Sequence, residues 1–405
     1  MHVLIVTQYF WPENFRINDL AVGLVERGHE VTVLTGTPNY PEGRFFAGYG
    51  VLKNRREEYK GVQICRVPLV PRGSGRGIRL AINYLSFALS AIVFSPACCR
   101  GKYDLILVCQ LSPVTVGLPA LFLKKLRRVP ILFWILDLWP ESLSATGAVR
   151  SGKVLAQLDK LVRFIYHGCD KIVVASKAFL PSVMAKGIAV ERTGYLPNWY
   201  EPEYQNQLDQ AGATSANGLP AGFRVMFAGN IGVAQDFGTI LSTAEMLKPY
   251  QDIYWIIVGD GRQYEWVKEQ VKLRALEDRV ILLGRHAPEK MAGYFAQADA
   301  MLVTLKRDPA FALTIPGKIQ SYMACGRPIL AALDGEGAQL IKESGAGFSS
   351  PAEDVEALAQ SVMALYRMPK EEREAMGACG KEYCEKNFER EMLIDRLEGW
   401  MRELS

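Results

Sequence analysis

Short apolar runs alternate with amphipathic stretches along almost the whole chain. Val3–Thr7, Val31–Thr35, Val62–Val67, Leu105–Val108, Ile131–Leu136 and Ile172–Ala175 are compact and rich in β-branched or aromatic residues, and each predicts a strand. Between them lie stretches with apolar residues at three- and four-residue spacing. Ile17–Arg27, Val114–Arg127 and Lys153–His167 are examples, and they predict helices. Strands that are apolar throughout and separated by helices imply a parallel sheet covered on both faces. The alternation pauses at Asn198–Gly222, where Gln, Asn, Ala, Gly and Pro replace any apolar period. It restarts with Phe223–Ala228, Ile253–Gly259, Val280–Leu283, Ala300–Leu305 and Pro328–Ala332, and helical patterns run from Val355 onward. The pattern predicts an α/β protein of two Rossmann-like domains, 1–198 and 223–387, with a connection over 199–222 and a last helical segment over 388–405.

One predicted helix stands apart. Ile78–Cys99 is dominated by Leu, Ile, Ala, Phe and Val, with Arg72, Arg76 and Arg79 before it and Arg100 and Lys102 after it. Asn83, Ser86, Ser90, Ser95 and Pro96 interrupt it too often for a membrane span. Two readings stay open: a covering helix packed on the sheet, or an interfacial helix with basic flanks.

Composition narrows the class. A chain of 405 residues is too long for one ordinary core. His2–Thr7 already reads as a strand, so no N-terminal signal peptide is expected. The eight cysteines are scattered without metal-ligand spacing and read as buried thiols of a reducing cytosol. With only four histidines and no such spacing, no metal site is expected. The net charge of +4 hides an asymmetry: residues 1–198 carry 25 Lys+Arg against 13 Asp+Glu, and residues 199–405 carry 22 against 30. The balances are +12 and −8, so the N-terminal half suits an anionic partner. No nucleic-acid-binding motif accompanies it; simple solvation is the alternative, and the +12 balance tips the reading of the 78–99 helix toward contact with an anionic membrane surface.

Three loop-to-helix turns carry the candidate chemistry. Thr314–Pro328 follows a strand, and its Pro316-Gly317-Lys318 turn opens an apolar helix. A helix start offers unpaired N–H groups and partial positive charge, and a lysine there adds a full one. Gly229-Asn230-Ile231-Gly232 and Val258-Gly259-Asp260-Gly261 also follow strands, without the full dinucleotide glycine spacing. Three such turns at carboxyl ends of strands predict a nucleotide-diphosphate crevice rather than a nicotinamide site. In the N-terminal half, Trp11-Pro12-Glu13-Asn14-Phe15-Arg16 and Asp137-Leu138-Trp139-Pro140-Glu141 each follow a strand. Aromatic rings beside carboxylates suit a sugar. Both loops are expected to open into an interdomain cleft, with Asp137 the better candidate for chemistry and Glu141 a helix-start residue.

Gly-Asn-Ile-Gly-x-Ala-Gln-Asp at 229–236, Pro-Gly-Lys-x-x-x-Tyr-Met at 316–323 and Asp-Leu-Trp-Pro at 137–140 resemble bacterial family 4 glycosyltransferases, in the branch that assembles O-antigen, capsule and colanic acid. The resemblance covers essentially the whole chain. It implies a GT-B fold, a last helix returning to the N-terminal domain, and retaining transfer without a metal or other cofactor. It also implies a UDP-sugar donor and a lipid-pyrophosphate-linked saccharide acceptor. Localisation would be cytoplasmic, at the inner face of the plasma membrane. The donor residues it points to are Gly229, Asn230, Ile231, Gly232, Gln235, Gly259, Arg285, His286, Pro316, Gly317 and Ser321. Glu13, Asn14, Arg16 and Trp139 would meet the acceptor, and Asp137 and Lys318 would act in catalysis. The chain departs from relatives that carry paired glutamates, since Leu313 and Ser321 stand there. Asn230 and Gln235 replace a common Arg and Lys, and Leu136 replaces a common His. A UDP-sugar 2-epimerase and a non-catalytic nucleotide-sugar-binding protein are the alternative readings.

Overall fold

The computed structural model describes residues 1–51, 53–75, 77–200 and 218–405. Most of the connection expected at 199–222, and Arg76 of the basic lead-in, lie outside the described residues. Contacts divide the chain into two compact units, Met1–Pro197 with Glu391–Ser405, and Asn198–Arg390.

The first unit is built on eight strands: β1 (His2–Val6), β2 (Glu30–Gly36), β3 (Arg56–Tyr59), β4 (Val62–Val67), β5 (Leu105–Gln110), β6 (Ile131–Ile135), β7 (Lys171–Val174) and β8 (Thr193–Tyr195). Their order is β3-β4-β2-β1-β5-β6-β7-β8, parallel except for β3 against β4. The inner strands β1, β5 and β6 are buried at nearly every position, as a sheet covered on both faces requires. The last helix, Arg390–Leu404, belongs to this unit from Glu391 onward. Arg27 holds it through Glu391 at 2.6 Å and Glu398 at 3.2 Å, and His29 also meets Glu398.

The second unit has six strands: β9 (Phe223–Ala228), β10 (Ile253–Val258), β11 (Val280–Gly284), β12 (Ala300–Thr304), β13 (Ile329–Ala332) and β14 (Gly347–Ser350). Their order is β11-β10-β9-β12-β13-β14, all parallel. Successive residues of β9 enter opposite cores: Val225 and Phe227 pack with Ile240 and Trp255, while Met226 and Ala228 pack with Tyr322 and Met301.

Both sheets share one consequence of right-handed crossovers. The chain builds outward from β9 to β11, then returns to the other side of β9 with β12. The first sheet does the same between β1 and β5. At each reversal, loops leave in opposite directions from the carboxyl ends of neighbouring strands and open a crevice.

Candidate active site

In the second unit the reversal lies between β9 and β12. The helix Gly317–Ala324 is fastened there by one side chain: the Tyr322 hydroxyl donates to the Ala228 carbonyl at 3.0 Å and accepts from the Ala228 N–H at 2.9 Å. That pair of hydrogen bonds to the last residue of β9 sets the height of the helix start. Lys318, in its first turn, consequently lies beneath Gly229. A Cβ on Gly229 would come within 2.8 Å of Lys318 Cε. The ammonium rests 3.6 Å above the centre of the Phe227 ring, which is wholly buried.

No carboxylate pairs with Lys318 among the described residues. Burial alone pushes its ammonium down to about 7. Its charged form is therefore less favoured than an ordinary lysine's, and an anion entering the crevice would favour it. Pro316 has no N–H, and the Gly317 and Lys318 N–H groups stand at the open helix start.

The glycine turns have a different role from the one their spacing suggests. A Cβ on Gly259 would stand 1.9 Å from the Gly229 carbonyl oxygen, and one on Gly261 would stand 2.4 Å from that of Ile231. These glycines let the turns after β9 and β10 pack backbone to backbone. Their N–H groups are largely spent: Gly229 donates to Val258, Ile231 to Asp260, and Gly232 to the Gln235 side chain at 3.2 Å. The expectation that Gly229–Gly232 cradle a diphosphate by backbone N–H groups is corrected accordingly, because only the Asn230 N–H is uncommitted in this turn. Gln235 closes the turn by its amide oxygen, and Asn230 is exposed. Ser321 is buried and its hydroxyl returns to the Gly317 carbonyl at 3.3 Å. Beyond β11, Arg285 is exposed and His286 packs on Tyr294, whose hydroxyl lies 3.2 Å from Nε2.

In the first unit the reversal between β1 and β5 gathers polar groups of another kind. Asp137, after β6, receives the Trp139 indole N–H at 2.9 Å. Burial holds its carboxyl above the usual range, against the pull of hydrogen bonds from Ser142, Trp139 and Ser112. Trp139 is itself buried, with Tyr84 edge-on at 6.0 Å. It orients Asp137 rather than offering a face to a sugar. Glu13 also departs from expectation. It is buried; one oxygen accepts the Asn39 and Tyr40 N–H groups at 2.7 Å each, and the other accepts Phe10 N–H at 3.3 Å. Glu13 therefore ties two loops together, with both oxygens engaged by backbone N–H groups and the side chain buried away from the crevice surface. Burial pushes its carboxyl up to about 7, opposed by those backbone bonds. Asn14 is exposed and Arg16 half-buried at the start of the next helix.

Side chains that the sequence reading passed over complete this crevice. The Gln8 amide donates to Asn83 at 2.7 Å, and Gln110 donates to the Asp137 carbonyl at 2.7 Å. Both amide oxygens are buried without a partner. Val6 pairs with Val108, so two residues further on Gln8 and Gln110 share a row. Only the polar character of these strand ends, after continuous apolar runs, hinted at them.

Each of the two units is an α/β sheet with one strand-order reversal. Comparison with known proteins gives the family. The model for the glycosyl transferase 4-like domain matches residues 14–199 and that for glycosyl transferases group 1 matches 222–368. The chain belongs to this glycosyltransferase family, with one type of domain in each half. It is 25% identical over 97% of its length to the colanic acid biosynthesis glycosyl transferase WcaI of Escherichia coli K12, covering 98% of that protein. It is 22% identical over 82% of its length to alpha-monoglucosyldiacylglycerol synthase of Streptococcus pneumoniae, covering 71% of it. Among solved structures, sucrose-phosphate synthase of Thermosynechococcus elongatus superposes with a TM-score of 0.74 at 16% identity, over 100% of this chain and 98% of that one. Anabaena HepE in complex with UDP superposes with a TM-score of 0.70 at 16% identity, over the full length of both chains.

Proposed function

We propose that this glycosyltransferase moves a hexose or N-acetylamino sugar from a UDP-sugar to a saccharide carried on a membrane lipid, with retention, during assembly of a cell-surface polysaccharide. The observation that carries the donor assignment is Lys318: an unpaired, desolvated amine at a helix start, beneath the turn after β9. A nucleotide diphosphate supplies the charge this group lacks. The helix-start N–H groups of Gly317 and Lys318 add donors, and the ammonium neutralises the charge that develops as the diphosphate leaves. Donor binding and departure then need no metal ion. The HepE complexes with UDP and UDP-glucose support the nucleotide assignment.

Asp137 acts on a sugar hydroxyl. Trp139 fixes its orientation, and burial strengthens the hydrogen bond it accepts. The polysaccharide setting rests on the likeness to WcaI, and the lipid acceptor on the likeness to a glucosyldiacylglycerol synthase. The +12 balance of residues 1–198 favours action at the anionic cytoplasmic face of the membrane. The test is a screen of UDP-sugars against lipid-pyrophosphate-linked saccharides, with and without chelator, read by product mass. A product one glycosyl residue heavier, formed equally with chelator present, is expected. UDP-sugar isomerisation without any acceptor would instead identify an epimerase.

A further inference from the structure

The helix Gly77–Cys98 is long and apolar enough to cross a membrane, yet its placement in the first unit assigns it another task. Its inner face, Asn83, Phe87, Ala88, Ala91 and Ser95, is buried. Asn83 accepts from Gln8 at 2.7 Å and donates to the Val70 carbonyl at 2.6 Å. A helix tied to a sheet by such bonds cannot be surrounded by lipid.

The outer face is the opposite. Ile78 is 80% exposed, Ile82 44%, Leu85 52%, Leu89 64% and Val93 68%. Their spacing of four, three, four and four residues places them in one narrow stripe. The neighbouring helix Gly117–Arg127 widens it with exposed Phe122 and Leu126. Arg79, Arg100, Lys102, Lys125 and Arg128 are all exposed on these two helices and the segments that follow them. Between Glu58 and Asp137 the sequence holds a single acidic residue, Asp104. A linear apolar stripe within basic surroundings complements an anionic lipid surface: the side chains enter the headgroup–acyl boundary while the cations stay among the headgroups.

We infer that this stripe docks the protein on an anionic bilayer with the Gly77–Cys98 helix lying in the plane of the surface. The inference deepens the lipid-acceptor reading above by naming the docking surface. The same helix carries Tyr84 against Trp139, which orients Asp137, so one helix links the bilayer to the sugar site.

Sedimentation of the full-length protein with vesicles tests this. Vesicles of phosphatidylethanolamine with phosphatidylglycerol should pellet the protein, and pure phosphatidylcholine should pellet at least about tenfold less. The combined change Leu85→Ser, Leu89→Ser and Val93→Ser should cut vesicle binding at least about tenfold while the melting temperature and UDP binding hold, because these side chains are exposed. Arg79→Glu with Lys125→Glu should weaken binding and leave what remains less sensitive to salt. The inference is overturned if the wild type stays in solution with both vesicles, if the serine variant pellets like the wild type, or if the pelleted protein resists both high salt and alkaline carbonate. Vesicle binding without UDP binding would refute the donor reading and leave the docking surface standing.

Discussion

The two strand-order reversals have the same topology and opposite chemistry. Beside β9 the turns after β9 and β10 pack glycine backbone on glycine backbone, and the strong polar group beneath Gly229 is a lysine without a counter-charge among the described residues. Between β1 and β5 the floor is two glutamine amides, beside a carboxylate held by an indole. One reversal carries a cationic group, and the other carries amides and a carboxylate. The fold fixes where a ligand goes, and a handful of side chains fixes which charge it carries.

The largest effect that can break this comparison is at Lys318. Lys318→Met should lower transfer by about a thousandfold, the scale of losing a preorganised charge at a leaving group. The same change should raise stability at neutral pH by at least about 1 kcal/mol, since a buried amine no longer has to be accommodated. The sign follows from linkage. Lys318 has a folded value near 7 against the ordinary lysine value of 10.5, so the unfolded chain binds more protons between them and wild-type stability rises with pH in that window. Thermal melts across it should show the slope in the wild type and a smaller one in the variant. Gly259→Ala follows, with a loss of about 3 kcal/mol or more in unit stability, because its Cβ would strike the Gly229 carbonyl and its φ is +140°. Asp137→Asn should reduce turnover about a hundredfold and leave the Kd for UDP unchanged, which steady-state kinetics and calorimetry separate. The smallest effect is at Glu13. Its raised value means the stability it contributes is present below the ordinary carboxyl range and is lost as pH rises through about 7. Glu13→Gln should flatten that loss by about 1 kcal/mol in melts compared across the same range, with little change in Kd for UDP.

What the sequence made legible follows from burial. Strands covered on both faces are continuous apolar runs, so β1, β5, β6, β9, β10 and β12 could be read directly. The sheet edges could not: β3 is Arg-Glu-Glu-Tyr, β8 is Thr-Gly-Tyr and β14 is Gly-Phe-Ser-Ser, short and half-exposed, held by neighbours rather than by their own pattern. Lys318 was legible because a lysine in the first turn of an apolar helix is a local feature. The work of Gly259 was not, since its need for a bare α-carbon comes from Gly229, thirty residues away. Glu13 misled for a related reason: its partners, Asn39 and Tyr40, come from another loop. Gln8 and Gln110 acquire meaning only when β1 and β5 lie side by side.

The central claim is that Lys318, beneath the turn after β9, is the group that receives the anionic donor. Calorimetry of UDP binding at pH 8, in buffers of different ionisation enthalpy, measures this directly. At that pH the free protein holds Lys318 largely neutral, so binding should draw in close to one proton, and Lys318→Met should abolish both the uptake and most of the affinity. Binding that moves no proton, or that survives unchanged in the methionine variant, would contradict the account.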